Sequence, residues 1–184
     1  MAALFIALWF AGPVWDFHLP GVNGKAHSAS EWKDKRAVVL LFLSTECPIS
    51  NRYAPAINRL HHEYSGKGVL FYVVQSDPDL KAPDAKKHAA EFGFEMPVLM
   101  DPKQVLASKA GASVTPTAVI LSVNASILYQ GRIDDRNIDL GKYRDTPKRE
   151  DLKIAIEEVL AGKAVSERTT KVVGCFLPAL AGNR

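Results

Sequence analysis

The residues with the clearest chemical potential are Cys47 and the short polar run before it. An aliphatic, β-branched stretch, Ala37 to Leu43, ends in Ser44-Thr45-Glu46, and Cys47-Pro48 follows at once. From Pro48 onward the apolar positions are Ile49, Tyr53, Ile57, Leu60 and Tyr64. Steps of three or four mark one face of a helix. Pro48 suits the first helical position, where a missing N–H costs nothing. Cys47 is therefore placed at the N-terminus of a helix fed by a buried strand. Unpaired N–H groups and the positive end of the helix dipole favour thiolate over thiol there, which makes Cys47 a candidate nucleophile. Most free cysteines are small buried hydrophobes, and the succession of strand, polar turn, Cys-Pro and amphipathic helix is what sets this one apart. Glu46 works in the opposite direction, because a neighbouring anion disfavours the thiolate. A second cysteine, Cys175, lies 128 residues further on in Val173-Gly174-Cys175-Phe176.

The elements that must hold these residues can be read along the chain. Ala37 to Leu43 and Val69 to Val74 have the length and composition of buried strands. Pro97 to Met100, Thr117 to Leu121 and Ile127 to Gln130 are shorter strands, the last two an antiparallel pair across the turn at Val123 to Ser126. Helices are predicted from Pro48 to about Ser65, from a cap at Asp84 to Phe92, from Asp101-Pro102 to Ala110, and beyond Pro147 and Arg149 through Leu152, Ile156, Val159 and Leu160. Strands alternating with helices and closing in an antiparallel pair predict an α/β fold with a central mixed sheet and helices on both faces.

Composition narrows the classes. The chain has 184 residues, 47% hydrophobic and 23% charged, enough for one globular domain with a real core. A net charge of +3 with scattered basic residues gives no stripe for nucleic acid. Two cysteines do not make a disulfide-stapled scaffold but can make one redox couple. His61, His62 and His88 lack metal-ligand spacing, and neither a metal nor another cofactor is predicted. Met1 to Phe10 is almost wholly apolar. It is too short to span a bilayer and lacks a positive leading region, yet it is similar to the apolar core of a secretory signal. On that run the protein is expected to be exported, to the periplasm or outside the cell. The alternative is an ordinary packed segment of a cytoplasmic protein. The expected organisation is a signal remnant or apolar segment over 1–12, a core domain over 13–163, and a tail over 164–184 carrying Cys175.

Cys47-Pro48-Ile49-Ser50-Asn51-Arg52-Tyr53-Ala54-Pro55, together with Thr115-Pro116 before a strand, resembles the redoxin branch of the thioredoxin superfamily. That branch holds peroxiredoxin-like (alkyl hydroperoxide reductase/thiol-specific antioxidant) proteins and their thiol-disulfide relatives. The resemblance covers about Asp16 to Gly162. It implies a thioredoxin-like fold and a cis Thr115-Pro116 bond beside the active sulfur. It also implies a thiol-dependent peroxidase: Cys47 attacks peroxide, Ser44 helps to hold it, and Arg132 stabilises the charge on the leaving oxygen, with Arg52 and Arg136 as other candidates. Cys175 resolves the oxidised Cys47. Thr45, Pro48, Arg52, Thr115 and Pro116 position the substrate. The implied partners are a peroxide or disulfide substrate and an external thiol reductant, with no oligomeric state assigned. The motif departs from both parent types. Ser50 stands where a thioredoxin has its second cysteine, and Leu40 where a peroxiredoxin has a proline. Thiol-disulfide exchange on protein disulfides through Cys47 is therefore the first alternative. A non-catalytic binding module or a copper-chaperone-like protein is the second.

Overall fold

The computed structural model describes Trp15 and residues 17–180. The run 1–12 read as a signal remnant lies outside the described residues. The elements in chain order are β1 (His18–Pro20), β2 (Ala26–Ser28), a 3-10 turn (Ala29–Trp32), β3 (Ala37–Leu43), α1 (Pro48–Arg52) and α2 (Ala54–Tyr64). There follow β4 (Val69–Gln75), α3 (Ala82–Glu91), β5 (Val98–Met100), α4 (Val105–Ala110), β6 (Val114–Thr115), β7 (Thr117–Leu121) and β8 (Ile127–Gly131). The chain closes with β9 (Asn137–Asp139), β10 (Lys142–Tyr143), α5 (Asp151–Leu160) and β11 (Cys175–Phe176).

Five strands form the central sheet in the order β5-β4-β3-β7-β8. β3 runs parallel to β4 and antiparallel to β7, so the sheet is mixed, as predicted. β3 is central and buried at every position, which explains its unbroken apolar sequence. Its alternate residues feed two cores. Val39, Leu41 and Leu43 pack with Ile57 and Leu60 of α2 and Leu152 and Ile156 of α5. Val38, Leu40 and Phe42 pack on the other face with Trp15, Trp32 and Leu106 and Ala110 of α4. Two buried layers with helices on opposite faces make the thioredoxin-like α/β architecture.

Three local boundaries differ from the sequence reading. The single helix predicted from Pro48 breaks at Tyr53 into α1 and α2. Pro55 is the cause: it has no N–H to give to the carbonyl of Asn51, so the first turn cannot run on. α3 starts at Ala82 with Pro83 in its first turn, ahead of the cap expected at Asp84. α4 starts at Val105 rather than at Pro102. Asp101 still governs that end. Its buried carboxylate accepts the N–H groups of Val105, Leu106 and Ala107 at 2.7, 3.1 and 3.1 Å. Burial raises its pKa, against those three N–H groups and the Ser76 hydroxyl. Among the described residues no helix is long and apolar enough to cross a membrane.

After α5 the chain does not trail away. It crosses the outer edge of the sheet beside β8, where Gln130 N–H donates to the Arg168 carbonyl at 2.9 Å and Thr170 N–H to the Gln130 carbonyl at 3.2 Å. The buried Tyr129 hydroxyl and the Thr170 hydroxyl meet at 2.8 Å. A Cβ on Gly131 would stand 2.0 Å from Thr170 Oγ1, so glycine is what lets the tail lie this close. The segment then reaches β6 and pairs with it as β11.

Candidate active site

Cys47 caps α1 at the carboxyl end of β3, where parallel strands deliver the chain into the crevice that α/β sheets use for ligands. Its φ of −85° and ψ of 111° are extended, and its carbonyl accepts the first intrahelical bond, from Asn51 N–H at 3.0 Å. Pro48 holds the first helical position, as its ring favours. α1 has only 5 residues, so the macrodipole expected from the sequence is small. Nearby N–H groups take its place.

The turn before the cysteine is braced from outside. Asn51 Nδ2 donates to the Thr45 carbonyl at 3.0 Å, and the His88 ring on α3 donates through Nε2 to Asn51 Oδ1 at 2.8 Å. Burial holds the His88 pKa below its usual value, which suits a neutral ring in that role. Ser44 contributes its carbonyl to Cys47 N–H at 3.3 Å and its hydroxyl to Glu46 N–H at 3.3 Å. Across the crevice, Thr115-Pro116 is cis, as the resemblance implied, and the Thr115 carbonyl lies 3.6 Å from Cys47 Sγ.

β11 brings the second sulfur. Cys175 pairs in antiparallel register with Thr115, and its Sγ stands 2.6 Å from Cys47 Sγ. Cys47 is 2% exposed beneath it. The two thiols hold unequal affinities for a proton. Burial alone pushes Cys47 up. The Cys175 thiol, the N–H and hydroxyl of Ser50 and the N–H of Ile49 more than offset this and hold it below an ordinary thiol. Cys175 moves the other way, to about 11, through burial, its hydrogen bond to Cys47 and the Cys47 charge. Of the pair, Cys47 is therefore the thiol that ionises more readily and Cys175 the one that keeps its proton longer. Removing the Cys175 donor (Cys175→Ala) should move the Cys47 titration to higher pH and lower its thiolate fraction at neutral pH. Ultraviolet thiolate absorbance against pH measures this, and an unmoved midpoint would assign the anion's stability to Ser50 and Ile49 alone.

The structure gathers Cys47, Pro48, Thr115, Pro116 and Cys175, with Ser44 and Thr45 in the turn. It gives Arg132 a different engagement from the one expected at the peroxide. Its Nε donates to the buried Asp151 carboxylate at 2.7 Å, and Arg149 takes the other oxygen of that carboxylate, also at 2.7 Å. The pairing holds the start of α5 against the end of β8. Arg52 lies with its guanidinium 4.1 Å from the centre of the Tyr143 ring, and Arg136 pairs with Asp134 at 3.1 Å. Two contributors escaped the sequence reading. Ser50, noted only as a missing cysteine, acts on the sulfur directly. Its signal was legible, because the third helical N–H is what an N-cap side chain reaches. The Asn51–His88 brace had no sequence signal, since it joins two helices.

Fold and centre together define a thioredoxin-like domain that brings two thiols into contact from distant parts of one chain. The Redoxin family model matches residues 11–145, and the chain belongs to that family. It is 27% identical to the thiol-disulfide oxidoreductase ResA of Geobacillus thermodenitrificans over 113 residues, 61% of this chain and 63% of that protein's length. A hypothetical protein of Sinorhizobium meliloti superposes with a TM-score of 0.82 at 26% identity, over 96% of this chain and 98% of that one. A candidate thiol:disulfide interchange protein DsbE of Chlorobium tepidum does so with a TM-score of 0.63 at 27% identity, over 79% and 93% of the respective chains.

Proposed function

We propose that this protein is a thiol-disulfide oxidoreductase that exchanges disulfides with protein partners through Cys47, with Cys175 as its second thiol. The observation that carries the reading is the 2.6 Å approach of the two sulfurs. The likeness to ResA and to the interchange protein supports it. The Cys47 thiolate attacks one sulfur of a partner disulfide. That S–S bond breaks, a mixed disulfide forms, and the other partner sulfur leaves as a thiolate. Cys175 then gives up its proton and attacks Cys47 Sγ. The Cys47–Cys175 bond forms, and the second partner thiolate leaves and takes up a proton. The partner gains two electrons and this protein loses two. An external dithiol reverses the sequence and restores the reduced pair. Such exchange suits the exported setting inferred from Met1 to Phe10.

Peroxide reduction is the less supported reading. It asks for a cation at the breaking O–O bond, and Arg132 is held by Asp151 instead. The test sets the two against each other. Reduced protein is mixed rapidly with a protein disulfide and, separately, with hydrogen peroxide, with free cysteine at equal thiolate concentration as reference. Exchange faster than the reference by about tenfold or more, with peroxide near it, is expected. Peroxide faster by orders of magnitude would restore the peroxidase reading.

A further inference from the structure

β6 is a two-residue strand, and β11 is its only ladder partner among the described residues. The register sets Cys175 opposite Thr115 and Phe176 opposite Val114, and Leu177 N–H donates to the Ser113 carbonyl at 2.9 Å. Gly174 precedes the cysteine. A Cβ there would lie 1.9 Å from the Thr115 carbonyl oxygen and 2.7 Å from its carbon, far inside any real contact. The obstacle is backbone, so it cannot swing aside. Gly174 shows no left-handed φ; space, not conformation, is what requires glycine. The rest of the strand is lightly held. Phe176 is 84% exposed, and beyond it Leu177 packs partly on the core and the Pro178 carbonyl accepts from Gln104 Nε2 at 2.7 Å. Beneath the strand, Cys47 is closed off.

We propose that Gly174 is the positioning residue that seats residues 174–177 on the β6 edge as an exchangeable strand, and that a partner reaches Cys47 only when this strand lifts. The proposal rests on the exchange reading above and adds its gate. The reaction needs the strand in two places. It must be away while Cys47 engages a partner, and back when Cys175 attacks the mixed disulfide. A strand with few hydrogen bonds and an exposed aromatic can make that excursion cheaply. A close-approach glycine makes its return accurate, and so keeps the effective concentration of Cys175 at Cys47 high.

The test uses the full chain with both cysteines and Gly174→Val, with Gly174→Ala as the milder change. Alkylation of Cys47 by iodoacetamide in the reduced protein is followed by mass spectrometry. The equilibrium between dithiol and Cys47–Cys175 disulfide is read in dithiothreitol redox buffers. With the far-ultraviolet circular dichroism of the native protein retained, Gly174→Val is expected to alkylate about tenfold faster or more, and to lose about tenfold or more in disulfide equilibrium constant, with Gly174→Ala between. Values within twofold of the native protein would overturn the proposal. A second reading needs no substitution. In the native reduced protein the Leu177 amide should exchange hydrogen far faster than the amides of β3. Protection equal to β3 would show a strand that leaves only on global unfolding, and would overturn the gate. These outcomes are separable from failure of the exchange reading, which would appear as no Cys47–Cys175 disulfide in the native protein under oxidising buffer.

Discussion

Replacing Cys47 with serine is expected to abolish disulfide exchange, by about a thousandfold or more in turnover. A serine hydroxyl at the cap of α1 keeps the hydrogen-bonding shape but carries no anion at neutral pH. The groups that favour the thiolate, Ser50 and Ile49 among them, cannot lower an alcohol far enough to matter. Cys175 is no substitute. It is on a strand rather than at a helix cap, burial raises it, and none of the N–H groups that act on Cys47 are assigned to it. Reduction of a protein disulfide by the Cys47→Ser protein, with a thiol reductant recycling it, measures the loss. A rate within tenfold of the native protein would remove Cys47 from the nucleophile's role.

The second large effect belongs to Cys175→Ser, and it has a different signature. First attack survives, because Cys47 remains. Resolution does not, because no sulfur stands 2.6 Å away to take the mixed disulfide apart. A covalent adduct between protein and substrate should accumulate in about one equivalent, visible as a mass increase that a reductant reverses. Steady turnover should fall by about a hundredfold. The unequal affinity of the two thiols for a proton gives the native order of events. While Cys47 is charged, that charge and its hydrogen bond help to keep Cys175 protonated, on top of burial. Once Cys47 is in the mixed disulfide, the charge is gone and the thiolate is no longer there to accept the bond, so Cys175 loses its proton more readily at the moment it is needed. Turnover at the native rate without an adduct would assign resolution to an outside thiol.

The sequence carried the sheet because β3 is buried along its whole length and β4 everywhere but Leu70, and burial on both faces leaves an unmistakable apolar run. It carried the Cys47 cap because Pro48 and the step-of-three-or-four pattern are local. It did not carry the break at Tyr53, where the helical pattern continues across Pro55 and only the missing N–H interrupts it. Arg132 meets a partner that its position does not announce. Its place after β8 matches the position of a catalytic arginine, but Asp151, nineteen residues on, claims it through the fold. Position along a strand says where a guanidinium starts, and only the packing of α5 says what it meets. The tail was the least legible part. Its contacts depend on two glycines, Gly131 and Gly174, whose meaning is an absence of atoms opposite a backbone that no local pattern reveals.

The long separation between the two cysteines has a thermodynamic consequence. A bond between them would close a loop of 128 residues, most of the domain. In the chain-entropy picture a cross-link of that span removes about 4–5 kcal/mol of freedom from the unfolded chain. In the same picture a Cys-x-x-Cys pair removes about 2 kcal/mol, less than half as much. Here each catalytic cycle would switch the global stability of the molecule by an amount comparable with the whole folding free energy of a marginal domain. Oxidised molecules would outlast reduced ones under heat or proteolysis, and the redox balance of the compartment would be written into how long each copy survives.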